Sequence, residues 1–392
     1  MSKSLFERIF PLGIPLAWLQ LTSESKRFFV AIAGITFAVT MMLFQMGLQG
    51  ALFKQVVAPI LLLDGEVILV SPNYEYFGIG RGFSEIRLNQ AYSLADVEDV
   101  AGLKLGGMSF KNPQTGQERD IFVIAFDPSK NPFLSKDILN QQHLLKKTDT
   151  VLFDGLSRDQ YGDIKNLIAK NSPVITELSG SRSNIEGLID IGATFAADGN
   201  ILMSLETFRK IYGGEQNEVN VGVIKLKANT DINTAVENLK KIYPSDIIVM
   251  SKKDFIQSEK DYWAVRTPIG FVIGASMAVA IFVGAVIVYQ ILYTDVNDHL
   301  PEYATLKAIG FDDKFFISII LQESFILSVL GFIPGVIFAS ILYYLTRTVA
   351  HMPTYLTFGN LAIVLMLSLV MCVTAGILAT RKLRHANPAD IF

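Results

Sequence analysis

Residues 267–314 read TPIGFVIGASMAVAIFVGAVIVYQILYTDVNDHLPEYATLKAIGFDDK, and the fold follows from how this stretch is divided. Its first part, 267–294, carries no Asp, Glu, Lys or Arg and is long enough to cross a bilayer as a helix. The polar insert 295–314 then breaks the run, and a second apolar stretch begins at once at Phe315. Such an insert is a turn between two membrane spans, and it is where force can enter the protein from outside the membrane.

Working outward, residues 315–346 form a third span, interrupted by Glu323 and carrying Pro334. Residues 347–357 are a short loop, 358–380 a fourth span and 381–392 a tail. Towards the N-terminus, 28–50 is another charge-free run, whose helix would be about 35 Å long at 1.5 Å per residue. The composition agrees: 51% hydrophobic and only 18% charged, with a mean hydropathy of +0.38. The apolar excess sits in these four runs. The fold class expected is therefore an α-helical membrane protein with four transmembrane helices and one large extramembranous α+β domain, residues 51–266.

Residues 1–27 open with Leu5, Phe6, Ile9 and Phe10 on one helical face. They continue through Trp18 to the Lys26–Arg27 pair, as suits a helix in the headgroup layer. Within 51–266, strands are expected at Glu66–Ser71, Asp120–Phe126, Thr150–Phe153, Gly187–Phe195, Val219–Lys227 and Asp246–Met250. Helices are expected at Leu94–Val100, Ser204–Tyr212 and Ile232–Tyr243. Ser204 reads as an N-cap, and Thr234 with Glu237 as a capping box. Lys252–Thr294 reads as a nearly continuous helix entering the second span, interrupted only by Pro268.

Lys3, Arg8, Lys26 and Arg27 at one end and Arg381, Lys382 and Arg384 at the other place both termini in the cytoplasm. Four spans then put 51–266 outside the cytoplasm and 295–314 inside. The insert gives no independent support, having five acidic residues (Asp295, Asp298, Glu302, Asp312, Asp313) against Lys307 and Lys314.

A net charge of −3 argues against broad nucleic-acid binding. The single cysteine, Cys372, rules out an intrachain disulfide and a cysteine metal site, and no His spacing suggests metal ligands. No G-x-x-x-x-G-K-S/T motif is present, so the sequence offers no nucleotide site; Gly78-Ile-Gly-Arg-Gly82 reads as a turn. No nucleophile–base pair stands out, and no catalytic, cofactor or metal residues are expected in the chain.

Within the insert, Pro301 to Gly310 has helix formers between a first-turn proline and a C-capping glycine. Leu306 and Ile309 lie on one side, with charges around them. Such a helix can dock on a partner's groove; the plainer reading is a loop capped by one helical turn. Glu323, about 12 Å into its span, is read either as an ion pair with Lys26 or Arg27 or as a neutral acid near the interface. Gly270-x-x-x-Gly274 and Gly331-x-x-x-Gly335 allow close helix contact and are candidates for a subunit interface.

The segment Glu302-x-x-x-Leu306-Lys-Ala-Ile-Gly310 resembles the E-I-x-x-L-R-A-L-G-A signature in the cytoplasmic loop of FtsX/MacB-type ABC transporter permeases. Leu16–Val39 resembles that family's entry into the first span, and Arg381 with Asn387-Pro-Ala-Asp-Ile391 its closing motif. The wording from His299 to Gly310 is similar to the DevC-like branch, which is associated with glycolipid export. Pro301 stands where the family usually has a basic residue, and Lys307 where it has Arg; Lys cannot make Arg's bidentate contacts. The resemblance implies a coupling helix that meets an ABC ATPase subunit through Glu302, Tyr303, Leu306, Lys307, Ile309, Gly310 and Phe311. It implies a transport subunit rather than an enzyme, a homodimer in a bacterial inner membrane, ATP and Mg on the partner ATPase, and mechanotransmission to a periplasmic domain. That domain would drive cargo, a glycolipid among the candidates, into a periplasmic adaptor and an outer-membrane duct. The alternative is an FtsX-like signalling module that regulates a periplasmic cell-wall hydrolase; a lipoprotein-extracting permease is a third reading. The size of 51–266, larger than a minimal lever needs, leans towards export.

Overall fold

The computed structural model describes residues 16–130, 132–194, 197–213, 217–243, 245–349 and 352–385. The expected helical face of Leu5, Phe6, Ile9 and Phe10 and the closing Asn387–Ile391 motif lie outside them. The chain divides into two units: Met1–Ala51 with Pro268–Phe392, and Leu52–Thr267.

The first unit is helical. In chain order, α1 is Leu16–Ser23 and α2 is Ser25–Leu61, which runs on past the unit boundary. The second unit contains helices α3 Lys136–Gln141, α4 Ile164–Lys170, α5 Leu205–Tyr212, α6 Ile232–Ile242 and α7 Lys252–Asp261. The helical unit then resumes with α8 Pro268–Asp298, α9 Leu300–Ala308, α10 Asp313–Val349 and α11 Phe358–His385. Segments of α2, α8, α10 and α11 are long and apolar enough to cross a membrane, which makes this a membrane protein.

The spans pack through small residues. A Cβ on Gly331 would lie 2.5 Å from Ile35 Cγ2, and one on Gly335 would lie 2.6 Å from Val39 Cγ1. Thr36 Oγ1 and Thr40 Oγ1 donate to the carbonyls of Gly331 and Gly335, at 3.2 and 3.3 Å. The Gly331/Gly335 pair therefore serves α2–α10 packing within one chain, where the sequence had made it a candidate subunit contact. A Cβ on Gly274 would meet nothing within 4 Å. Gly331→Leu is expected to overpack this seam and cost about 1–3 kcal/mol, read as a lower Tm of the detergent-solubilised protein; Gly274→Leu serves as a neutral control.

The second unit is built on a mixed sheet whose strands lie in the order β13 (Ile248–Ser251), β1 (Val67–Val70), β12 (Val221–Leu226), β5 (Val97–Lys111), β6 (Glu118–Phe126), β10 (Asn200–Ser204), β7 (Thr150–Asp154), β9 (Ser181–Ile189) and β8 (Val174–Leu178), while β2 (Tyr74–Tyr76) pairs with β3 (Ile79–Gly80) and β4 (Phe83–Ser84) with β11 (Glu218–Val219). Its central members are β1 Val67–Val70, β5 Val97–Lys111, β6 Glu118–Phe126, β10 Asn200–Ser204 and β12 Val221–Leu226. Both faces are covered. In β1, Val67 and Leu69 join a cluster with Ala235, Val236 and Leu239 of α6, while Ile68 and Val70 join the opposite cluster with Phe126 and Phe255.

Three local expectations are corrected. Leu94–Val100 is not a helix: Val97 begins β5. A register shift against β12 pairs Asp99 with Lys225 and Val97 with Leu226, leaving Glu98 as the extra residue. The bulge turns Val97 and Val100 to the same buried side and so imitates a helical spacing of three. The cap of α6 is Asp231, which accepts from Thr234 N, rather than a box starting at Thr234. The helix from Lys252 does not run into the second span. It passes through one π turn, Tyr262–Arg266, and Thr267 is extended at φ −104° and ψ 152°. Pro268 explains the break, because its ring disfavours helical geometry in the preceding residue.

Candidate functional site

The link from α8 to α10 is a short helix with one anchored and one open side. His299 N donates to Asp295 O at 3.1 Å and Tyr303 N to His299 O at 3.0 Å, so α9 follows α8 without a long loop. Its C-terminus closes on Gly310, at φ +108°, with Phe311 N donating to Leu306 O at 3.2 Å. That six-to-one bond over a left-handed residue is a Schellman closure, and it is why a glycine suits this position.

Tyr303 is the anchor. It is 3% exposed, its ring meets Phe316 edge-on at 5.3 Å, and its hydroxyl donates to Gln20 Oε1 of α1 at 3.3 Å. Arg27 adds a clamp: its guanidinium pairs with Asp298 at the end of α8 and with Glu24 at 2.8 Å. These exposed pairs fix register more than they add stability.

The open side carries Glu302, Ile309 and Gly310. Glu302 is exposed and accepts from or donates to His299 Nδ1 at 3.0 Å according to tautomer and protonation, while Ile309 is 71% exposed. Leu306 is half-buried, and so is Phe311, whose ring lies 4.7 Å from that of Phe315. Lys307 is on the helix, and its side chain lies outside the described residues. An exposed isoleucine beside a carboxylate, on a helix held from behind, can enter an apolar groove while the charge sets register.

Glu323 lies on α10, fully buried, and neither carboxyl oxygen has a hydrogen-bond partner among the described residues. The expected ion pair with Lys26 or Arg27 is not formed: Arg27 is engaged by Asp298 and Glu24, and Lys26 is exposed.

The second unit holds a constellation that the sequence did not reveal. Glu259 of α7 is 1% exposed; Oε1 accepts from Tyr74 Oη at 2.6 Å and Oε2 from Phe77 N at 3.1 Å. Burial pushes its carboxyl up to about 7, against which the Tyr74 and Phe77 bonds work. Nearby on β10, Asn200 donates through Nδ2 to Asp154 Oδ2 at 2.7 Å and to Gly192 O at 2.9 Å. Both amide hydrogens thus have acceptors, which fixes the side-chain orientation, and Oδ1 has no donor among the described residues. Glu259 sits in KKDFIQSEKD, a run whose polarity reads as a solvated face, so no signal singled it out.

Comparison with known proteins bears on the helical unit. Residues 274–388 match the family model described as FtsX-like permease C-terminal. The match takes in most of α8, all of α9 and α10, and α11. An uncharacterized ABC transporter permease, MJ1507 of Methanocaldococcus jannaschii, is 22% identical over 243 residues, 59% of this chain. The matched segment spans 60% of that relative's own length. Among solved structures, the periplasmic region of MacB from Actinobacillus actinomycetemcomitans is similar at 12% identity and a TM-score of 0.34, covering 50% of this chain and 93% of that one. The extracellular domain of the ABC-type transporter YknZ from Gram-positive bacteria is similar at 14% identity and a TM-score of 0.31, covering 47% of this chain and 98% of that one.

Proposed function

We propose that this chain is the membrane subunit of an ABC transporter of the FtsX type, coupled through α9 to an ATPase on a separate subunit. The observation that carries the reading is α9 itself. It is a short surface helix between two spans, seated by Tyr303 and showing Glu302, Ile309 and Gly310, inside the segment that matches the family model. In this reading ATP and Mg are held by the ATPase subunit, in keeping with the absence of a G-x-x-x-x-G-K-S/T motif from residues 1–392.

In this reading ATP-driven closure of two ATPases moves α9 in each half of a homodimer in a bacterial inner membrane. The spans pass the motion to Leu52–Thr267 on the periplasmic side. That domain then drives cargo, a glycolipid among the candidates, towards a periplasmic adaptor and an outer-membrane duct. The same lever could instead switch a cell-wall hydrolase, and the size of the outer domain favours export.

The test is topology. In a Cys372→Ala background, a cysteine at Glu237 on the exposed side of α6 is expected to react with an impermeant maleimide in cells whose outer membrane is permeabilised. One at Asp312 is expected to react only after the inner membrane is opened. Labelling of Asp312 in sealed inner membranes refutes the orientation.

A further inference from the structure

The end of α2 is fastened to the second unit by a side chain that local rules would place elsewhere. The last carbonyls of a helix lack partners and carry the negative end of its dipole. α2 has no basic residue in its own last turn. Lys252, the first residue of α7, supplies the cation instead: its Nζ donates to Leu63 O at 2.6 Å and to Leu61 O at 3.4 Å. A lysine is ill suited to the first turn of α7, where the dipole favours acids, so its gain lies in turning back to α2. Its backbone joins the same knot, with Lys252 N donating to Glu66 O at 2.8 Å. The rest of residues 62–66, which join α2 to β1, is held as well. Leu134 N donates to Leu62 O and Asp64 N to Pro132 O, both at 2.7 Å. Asp64 pairs with Lys225 of β12 at 2.9 Å, and a Glu66 carboxylate oxygen accepts from Leu226 N at 2.8 Å. Ile60 and Leu63 are fully buried, in one cluster with Phe133 and Phe255.

We propose that Lys252 is a positioning residue for transmission: its ammonium clamps the end of α2 to the start of α7, so that α2 and the sheet move as one piece. The inference rests on the reading of this chain as the membrane subunit of an ATP-driven transporter. The cation matters as well as the reach of the stem, because carbonyls at the negative end of a helix hold a charged donor more strongly than a neutral one. With residues 62–66 braced, a displacement arriving along α2 meets no hinge before β1. That strand lies between β13 and β12, so the displacement enters the sheet at a strand paired on both sides. The connection into the second span differs, since Thr267 is extended there.

The experiment uses the full chain with its ATPase in nanodiscs. Lys252→Met keeps the stem and removes the ammonium, and Lys252→Gln is a second uncharged variant should the first fail to fold. Lys252→Arg keeps a cation with donors. Hydrogen exchange at the Asp64 and Leu134 amides is expected to speed up at least about tenfold in the uncharged variants and to stay slow in Lys252→Arg. A fluorophore on Glu237→Cys, in the Cys372→Ala background, should lose its response to Mg-ATP in the uncharged variants while ATP hydrolysis continues. Lys252→Arg should keep that response, which a lysine with a merely structural role would not control. Exchange at the wild-type rate in a folded uncharged variant overturns the clamp. A full Mg-ATP response in a variant with fast exchange overturns its part in transmission. If the chain with Lys252 intact shows no response to Mg-ATP, the transporter reading fails and the transmission role with it, while the exchange rates still decide whether Lys252 holds α2.

Discussion

Ile309→Asp and Leu306→Asp are each expected to reduce stimulation of the partner ATPase to the basal level. Ile309 is the cleaner site, since at 71% exposure it contributes little to its own bundle, whereas Leu306 is half-buried. An aspartate on this side of α9 would bring an unpaired charge into an apolar groove, at a cost of several kcal/mol or about a thousandfold in affinity. Tyr303→Phe should be mild by comparison, because it removes one 3.3 Å hydrogen bond and leaves the ring against Phe316. The measurement is ATPase rate and co-purification in nanodiscs, with circular dichroism to confirm that each variant retains its helices. Unchanged stimulation by Ile309→Asp would reduce α9 to a simple connection.

The second large effect concerns transmission. α2 is helical without interruption from Ser25 to Leu61, with Pro59 in its last turn, whereas the second span is separated from α7 by the extended Thr267. In the mechanotransmission reading α2 is then the stiff route and Thr267 a joint. Replacing Phe53-Lys54-Gln55 by three glycines should cost about 3 kcal/mol of helix stability and soften that route. A fluorophore on Glu237→Cys should lose its response to Mg-ATP while ATP hydrolysis continues. Thr267→Gly, which changes a residue already extended, should keep the response. A preserved response in the α2 variant, or its loss only in the Thr267 variant, would place transmission elsewhere.

What the sequence makes legible is what local chemistry decides. The membrane helices were evident because charges are absent from long runs, and the Ser204 cap is present, accepting from Thr207 N at 3.1 Å. The sheet order was not legible, because parallel neighbours such as β6 and β10 come from distant parts of the chain and no local pattern encodes their pairing. The β5 bulge defeated periodicity outright, since Val97 and Val100 face the same side in a strand. At Thr267 the signal was present in the proline after it, yet the long apolar run that follows outweighed it. In the α8–α10 link the helix and its glycine closure could be read from Pro301 and Gly310. The inward turn of Tyr303 and the use of Arg27 on Asp298 depend on how helices pack, which spacing alone does not fix. Glu259 and Asn200 border one cleft although their helix and strand are separated along the chain, which no local pattern encodes.

The most direct test of the account is to ask what touches Ile309 in the membrane. A photo-crosslinking residue placed there in the intact complex is expected to form a single major adduct. Mass spectrometry should identify its partner as a chain containing a phosphate-binding loop, and Ile309→Asp should abolish complex formation. Adducts only with lipid, or with a partner that lacks a nucleotide-binding sequence, would contradict the claim that α9 is where an ATPase drives this protein.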